Sequence, residues 1–246
     1  MKISNKLIEL LDLDCRIAIL TGTGVSAESG VSTFRDPDGL WSRFNPAELA
    51  SMNGFMSNPE LVWSWYNYRR EIINSVKPNP GHYALAEMQK LFPYYTLITQ
   101  NVDRLHQSAG SSNVIELHGN IIDNHCVRCE EPFSNEFDLR SKVVPHCKCG
   151  GMIRPSVVWF GEMLPDAAIA DAYYAAENCD VFFSIGTSAE VFPAANLPHI
   201  ARSKGAYVVE INPNQTSLSN YADECLRQPS GIAMPELILQ LKVKKI

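Results

Sequence analysis

Two groups of polar side chains stand close together in the sequence, each just after an apolar segment. One group is Gln100-Asn101-Val102-Asp103, and the other is Glu116-Leu117-His118-Gly119. An amide and a carboxylate can orient a polar ligand, and an imidazole can take a proton from it near physiological pH. A lone histidine is more often structural, which is the role we assign to His82, His106 and His199. The surroundings of His118 favour a general base instead.

Four of the seven cysteines form two close pairs, Cys126-x-x-Cys129 and Cys147-x-Cys149. Such spacing, in a chain without a recognisable export signal, favours a metal site over disulfides. Four thiolates suit tetrahedral Zn²⁺ and leave no position for a metal-bound water, so the predicted zinc is structural. Because His125 and His146 flank these pairs, a site in which one histidine replaces a cysteine is an open alternative. We interpret Cys15, Cys179 and Cys225 as packing residues.

A glycine turn follows the first apolar segment, in the order Gly22-Thr23-Gly24-Val25-Ser26-Ala27. Glycine permits a tight turn and a close approach of the backbone, and the N–H groups at a helix start attract phosphate. By itself this pattern is a weak signal. A dehydrogenase of the ordinary dinucleotide-binding fold also needs an acidic residue about 20 positions later. The chain has Trp41-Ser42-Arg43-Phe44 there, which disfavours a dehydrogenase.

These motifs, taken together and in this order, resemble the sirtuin family of NAD-dependent protein lysine deacylases. The resemblance extends from Ile17 to about Leu237, although Thr23 and Ser32 stand where the family usually has alanine and proline. It implies that NAD is consumed as a co-substrate and that His118, Asn101 and Asp103 are catalytic. Its bacterial members favour a zinc site of four cysteines, one ion per chain.

The resemblance also implies an extended cofactor site, in which Phe34 shields the nicotinamide ribose and Arg35 lies near the phosphates. Residues after the later strands would contact the phosphate and adenosine half, at the strand ends where open α/β sheets bind ligands. Arg104, at a position that is often small or acidic in the family, is expected to face solvent. The predicted cofactor residues are Gly22, Thr23, Gly24, Ala27, Glu28, Phe34, Arg35, Gln100, Asn101, Asp103, Gly186, Thr187, Ser188, Asn212 and Ile232.

Two further segments point to the acyl-lysine substrate. The resemblance implies that the segment 157–162 pairs with the substrate peptide as an added strand, with Val158, Phe160, Gly161 and Glu162 as substrate-binding residues. Tyr66 and Arg69 lie three positions apart on a predicted helix and therefore share a face. A phenol and a guanidinium can hold a carboxylate, the family's device for removing succinyl and malonyl groups. A Tyr-Arg pair on the helix surface is the alternative.

Short apolar runs between turn residues must position these side chains, as buried parallel strands do. Helical patterns over His82–Leu91 and Asp166–Asn178 each follow a proline and alternate with the strands. The fold class is therefore α/β, a doubly wound Rossmann-like parallel sheet with a smaller helical and zinc-ribbon module. The predicted strands are Ile17–Leu20, Tyr95–Ile98, Val114–Leu117, Val181–Ile185 and Tyr207–Ile211.

We divide the chain into three units. Residues 1–41, 78–120 and 155–246 form a Rossmann-like NAD-binding domain, residues 42–77 a helical cap of the small domain, and residues 121–154 a zinc-binding module. The helical cap includes a predicted helix, Pro59–Asn74. The zinc-binding segment lacks a core-sized apolar run and needs a metal staple.

Composition limits the remaining function classes. With 46% hydrophobic and 20% charged residues and no apolar run of membrane-spanning length, the chain is typical of a globular protein. A formal net charge of −6 argues against a direct grip on nucleic acid. We expect a cytoplasmic monomer whose partners are acylated-lysine proteins.

Two rival functions use the same residues. One is protein ADP-ribosyl transfer or NAD hydrolysis, since the same pocket would activate the same glycosidic bond. The other is a non-enzymatic module that binds NAD or ADP-ribose. His118, Asn101 and Asp103 together argue against a pure binding module, which has no use for a base at the ribose.

Overall fold

The computed structural model describes residues 3–33, 45–134 and 137–244. In these ranges no helix has both the length and the hydrophobicity that crossing a membrane requires. The strands are β1 (Ile17–Thr21), β2 (Tyr95–Thr99), β3 (Ile115–Glu116), β4 (Gly119–Cys126), β5 (Ile153–Val157), β6 (Val181–Ile185), β7 (Tyr207–Ile211) and β8 (Glu224–Leu226). The helices are α1 (Asn5–Leu10), α2 (Gly24–Ala27), α3 (Pro46–Leu49), α4 (Met52–Ser57), α5 (Pro59–Ser75), α6 (Pro80–Leu91), α7 (Leu105–Ser108), α8 (Asp166–Asn178), α9 (Leu197–Ser203) and α10 (Ser230–Lys244), with a 3-10 turn at Ala194–Asn196.

Six strands form one parallel sheet in the order β3-β2-β1-β6-β7-β8. From β1, the chain first adds β2 and β3 on one side of the sheet. It then crosses back and adds β6, β7 and β8 on the other side of β1. The switch between β1 and β6 opens a crevice at the carboxyl ends of these strands, where open α/β sheets bind ligands. The predicted doubly wound sheet is confirmed.

Helices cover both faces of this sheet. In β1, Ile17 and Ile19 pack with α1, α6 and α10, whereas Ala18 and Leu20 pack on the opposite face with α8 and α9. All of β1 is buried. A strand covered on both sides has no polar face, which explains the continuous apolar runs in the sequence.

A smaller antiparallel sheet, β4 with β5, packs with α4 and α5 around a core of its own. The side chain of Arg70 joins these elements, because its guanidinium donates to the Ile121 carbonyl oxygen at 2.7 Å and to Asn124 Oδ1 at 2.5 Å. The division into three units remains a prediction. The shared core favours grouping the helical cap with the cysteine-bearing segment.

Candidate active site

A cavity of about 740 Å³ lies between the parallel sheet and the smaller sheet. Four of its lining residues, Gly22, Gln100, Gly186 and Asn212, each directly follow a strand of the parallel sheet. The cavity therefore occupies the crevice that the strand order creates. It brings together the predicted residues Gly22, Thr23, Gly24, Ala27, Glu28, Tyr66, Arg69, Gln100, His118, Val158, Phe160, Gly161, Glu162, Gly186, Thr187, Ser188 and Asn212.

His118 lies in the cavity wall two residues after β3, and the backbone fixes the state of its ring. Its Nδ1 lies 3.1 Å from the carbonyl oxygen of Gln100. A carbonyl oxygen can only accept a hydrogen bond, so Nδ1 carries the hydrogen and the lone pair is on Nε2. In this tautomer the neutral ring can accept a proton at Nε2.

The floor of the cavity is made by two loops that approach each other closely. Gly24 N donates to the Gly186 carbonyl oxygen at 2.8 Å. A Cβ atom at Gly22 would lie 2.8 Å from the Gly186 oxygen, and a Cβ at Gly24 would lie 2.8 Å from the Gly186 Cα. Gly186 itself has a φ of +61°, which favours glycine. Side chains at these positions would force the β1 and β6 loops apart.

Asn101 and Asp103 are buried behind the wall and do not line the cavity. Ser26 joins them: its hydroxyl donates to Asp103 Oδ2 at 2.7 Å and accepts from Asn101 Nδ2 at 3.2 Å. Burial raises the pKa of Asp103, and hydrogen bonds from Leu105 N and Ser26 partly offset this effect. Asn101 Oδ1 has no hydrogen-bond partner in the described parts of the chain.

His82 and His106 lie beside this group, with ring centroids 4.9 Å apart. His106 Nε2 is 2.9 Å from Thr21 Oγ1, and His82 Nε2 is 3.4 Å from Ser26 Oγ. Burial lowers the pKa of His82 to about 4 and that of His106 to about 3. Both rings are therefore neutral at physiological pH and serve as uncharged hydrogen-bonding groups.

Side-chain hydrogen bonds connect the loops at the other end of the cavity. Gln100 Nε2 donates to Thr187 Oγ1, and Asn212 Nδ2 donates to the Thr187 carbonyl oxygen, both at 3.0 Å. The Glu28 carboxylate points to the start of α10, where it accepts from Gly231 N at 2.8 Å. Ile232 is 54% exposed and does not line the cavity.

Tyr66 and Arg69 face the cavity from α5, and both are almost fully buried. The guanidinium carbon of Arg69 lies 4.9 Å from the Trp65 ring centroid. Burial lowers the pKa of Arg69, and the nearby Tyr66 and Asp103 oppose this shift. A poorly hydrated cation beside a phenol can bind an anion strongly.

The four predicted metal ligands converge. Their sulfur atoms lie within 4.8 Å of one another, with Cys126 Sγ 3.5 Å from Cys149 Sγ and Cys129 Sγ 3.7 Å from Cys147 Sγ. A zinc ion with Zn–S bonds of about 2.3 Å needs S···S edges of roughly 3.8 Å. Neither His125 nor His146 belongs to this cluster, and His125 Nδ1 lies 2.9 Å from Ser156 Oγ.

Known proteins are similar to this chain in both sequence and fold. The model of the Sir2 family matches residues 22–193, from the glycine turn to the loop beyond Ser188. The chain belongs to the Sir2 family. The sirtuin resemblance of the sequence is thereby confirmed.

Individual Sir2 proteins resemble the chain over most of its length. The NAD-dependent protein deacylase of Aquifex aeolicus is 46% identical and covers 93% of this chain and 96% of its own. NAD-dependent protein deacylase 1 of Caldanaerobacter subterraneus subsp. tengcongensis is 51% identical over 83% of this chain and 85% of its own. A solved Sir2 homolog–NAD complex is 43% identical and superposes with a TM-score of 0.90, covering 99% and 95% of the two chains.

Two predicted cofactor residues, Phe34 and Arg35, lie outside the described residues.

The sequence pattern also left some features of the site unassigned. No role was predicted from the sequence for Ser26, which joins Asn101 to Asp103. Its place inside the glycine turn is the signal that could have indicated this contact. The Arg104 side chain, expected to face solvent, is 34% exposed, and its guanidinium pairs with Glu116 at 3.1 Å and with Asp123. These carboxylates come from segments on either side of His118, which sequence spacing alone did not reveal.

Proposed function

We propose that the protein removes acyl groups from lysine side chains of proteins in a reaction that consumes NAD. The observation that supports this most is the position of His118. Its ring is oriented by the Gln100 carbonyl oxygen, and it lines the same cavity as the glycine loops and the Tyr66–Arg69 pair. The products are the free lysine, nicotinamide and 2′-O-acyl-ADP-ribose. The proposed setting is a cytoplasmic monomer that does not bind nucleic acid directly.

The residues present fit NAD. The glycine loops leave backbone close to the cavity, and the unpartnered Asn101 Oδ1 is an acceptor that a carboxamide N–H₂ can satisfy. NAD supplies a glycosidic bond to nicotinamide that breaks when an acyl-lysine carbonyl oxygen attacks. On this proposal the nicotinamide end lies next to Asn101 and Asp103, whose side chains Ser26 fixes behind the cavity wall, while Thr187, Ser188 and Asn212 hold the adenosine end.

His118 acts as the base in this proposal. Its Nε2 accepts the proton of a ribose hydroxyl, and the resulting imidazolium is stabilised by the Gln100 carbonyl oxygen at Nδ1. The hydrogen bond holds the ring in place before and after the transfer. Little reorganisation is then needed when the proton moves.

The acyl groups include acetyl and, through Tyr66 and Arg69, the dicarboxylic succinyl and malonyl groups. Arg69 and Tyr66 place a cation and a phenol together in the wall of the cavity that Val158 and Phe160 also line. A terminal carboxylate can accept from both. An acetyl group has no such acceptor and depends on the apolar part of the wall.

The four cysteines fit a structural zinc site, and we propose one ion per chain. Sulfur separations of 3.5 and 3.7 Å need little adjustment to reach a tetrahedral ZnS₄ site. Cys126 and Cys147 pack with the core around α5, which bears Tyr66 and Arg69. The ion therefore stabilises the wall of the acyl pocket without taking part in the reaction.

Removal of the metal is expected to unfold this part of the protein. A folded zinc site contributes several kcal/mol, so chelation should lower the melting temperature by at least roughly 10 °C. Elemental analysis and thermal denaturation by circular dichroism measure the two effects. Cys147→Ala should lose the zinc, whereas the matched control Cys225→Ala should keep one ion per chain. Complete chelation without a change in melting temperature would contradict the structural role.

The test of the function is a set of acetyl-, malonyl-, succinyl- and long-chain acyl-lysine peptides, each incubated with and without NAD. We expect peptide-dependent release of nicotinamide, with free lysine and acyl-ADP-ribose formed in equal amounts. Nicotinamide release without any acyl peptide would favour NAD hydrolysis or ADP-ribosyl transfer. Binding of NAD without turnover of any peptide would favour the non-enzymatic module.

A further inference from the structure

Trp159 forms part of the cavity wall and contacts Tyr66 directly. The indole Nε1 donates a hydrogen bond to Tyr66 Oη over 2.8 Å. Both residues are buried, with 2% of Trp159 and 1% of Tyr66 exposed. The contact is thus shielded from water. No water molecule competes for this hydrogen bond, so its direction is well defined.

This hydrogen bond decides which way the Tyr66 hydroxyl can donate. An indole N–H is only a donor, whereas a phenol has one hydrogen and can also accept. Because Tyr66 Oη accepts from Trp159, its own hydrogen must point away from the indole. No second hydrogen bond of this hydroxyl is found among the residues the structure describes. Tyr66 lines the cavity, with the Arg69 guanidinium carbon 5.9 Å from its ring centroid, so the hydrogen can point to an acceptor in the cavity.

Further contacts hold the indole itself in place. The guanidinium carbon of Arg154 lies 3.5 Å from the Trp159 ring centroid, in cation–π contact. Glu162 Oε2 accepts from Trp159 N at 2.8 Å and from the Arg154 guanidinium at 2.9 Å. The Phe55 ring centroid lies 5.4 Å away from that of Trp159. The indole can therefore neither shift nor turn without breaking buried contacts.

We propose that Trp159 is a positioning residue for acyl selectivity. It orients the Tyr66 hydroxyl as a donor beside the Arg69 cation, and this pair favours acyl chains that end in a carboxylate. The inference rests on the proposed deacylase function and names a residue that sets its selectivity. Acetyl-lysine, which has no terminal acceptor, is indifferent to the direction of the Tyr66 hydrogen.

The experiment compares Trp159→Phe with Trp159→His. Phenylalanine removes the N–H, whereas the histidine Nε2–H occupies the same position of a five-membered ring as the indole N–H. We expect Trp159→Phe to lower the ratio of kcat/KM for succinyl- over acetyl-lysine peptide about 3- to 10-fold, mainly through the succinyl KM, as loss of one hydrogen bond predicts. Trp159→His should restore part of this ratio.

A double mutant tests whether the effect passes through Tyr66. Once Tyr66→Phe has removed the hydroxyl, adding Trp159→Phe should change the selectivity ratio by less than about twofold. An equal loss for both peptides, or the same change in the Tyr66→Phe background as in the wild type, would overturn the proposal. Thermal denaturation of each variant shows whether it is folded.

Binding measurements separate this inference from the proposed function. Calorimetric titration of succinyl- and acetyl-lysine peptides gives the same ratio without turnover. If the wild type turns over no peptide, the deacylase function fails, but a binding preference for succinyl peptide that Trp159→Phe reduces still supports the positioning role. If the wild type deacetylates but neither binds nor processes succinyl peptide in preference, the function stands and this inference is overturned.

Discussion

His118→Ala is expected to abolish deacylation while the protein still folds and binds NAD. The side chain lies in the cavity wall, where Nδ1 hydrogen-bonds to the Gln100 carbonyl oxygen, so its removal should disturb the packing little. General-base catalysis contributes about 10²- to 10⁴-fold, and kcat with acetyl-lysine peptide should fall by at least that amount. Product formation and NAD binding, measured by mass spectrometry and calorimetry, check both parts.

The step at which the His118→Ala variant stops is equally informative. On our proposal the base acts on the ribose hydroxyl after nicotinamide has left, so exchange of labelled nicotinamide into NAD should persist. His199→Ala is the matched control, because His199 packs against Tyr221, with ring centroids 5.1 Å apart, and does not line the cavity. Turnover of the His118→Ala variant at the wild-type rate would refute the base assignment. Loss of exchange as well would mean that His118 mainly orients the substrates.

Five of the six strands of the parallel sheet were predicted, because central strands such as β1 and β6 are buried on both faces, whereas β8 was not predicted. Val181–Ile185 and Tyr207–Ile211 were predicted with the bounds that the structure shows, and the first two strands each extend one residue further. A strand covered by helices on both sides must be apolar throughout, and turn residues then mark its ends. The positions of His118 and the glycine turn at the carboxyl edge follow from the same signal.

The smaller sheet was not predictable in this way. β4 and β5 carry polar residues: Asn124 accepts from the distant Arg70, and Arg154 donates to the Val157 carbonyl oxygen and to Glu162. Their pairing is antiparallel with an irregular register, and β4 includes exposed positions, so it has no continuous apolar run. Sequence spacing correctly grouped the four cysteines, because metal ligands must converge whatever the backbone does.

The carboxyl-terminal helix was also missed. In its last turn Lys244 Nζ donates to the Ile8 carbonyl oxygen at 2.7 Å, and Lys242 pairs with Glu87. Pro235 within this helix hides its periodic pattern. Lysines in the last turn of a helix interact favourably with its free carbonyl groups. They are therefore a sign of a helix end, but several lysines at the end of a chain are easily interpreted as a charged tail.

Side-chain partners were the hardest feature to foresee. Glu162 was predicted to bind substrate, and the structure places it in the cavity wall with its carboxylate held by Arg154 and Trp159 N. Its role toward a substrate stays a prediction. Residue type shows that a carboxylate can bind a cation, but only the fold shows which cation is within reach.

Arg69→Met is expected to depress desuccinylation far more than deacetylation. The variant removes the guanidinium but keeps a long apolar stem, so the buried site remains filled. A hydrogen bond to a charged group contributes about 1.5–3 kcal/mol, so kcat/KM for succinyl-lysine peptide should fall roughly 10- to 100-fold. Steady-state kinetics with both peptides measure this, and the acetyl peptide serves as the control within each variant.

The difference between the losses of kcat/KM for the two peptides distinguishes an acyl-binding role of Arg69 from a structural one. Arg69 is only 7% exposed, so the fold holds this cation in a poorly hydrated place, and that burial lowers its pKa. Replacing a buried charge by an apolar group of similar volume often leaves stability unchanged or higher, so the melting temperature of Arg69→Met should not fall far. Arg69→Lys keeps the charge but loses the two-pronged geometry, and should retain an intermediate succinyl rate. Equal losses with succinyl and acetyl peptides would show that Arg69 supports the α5 wall generally and does not select the acyl group.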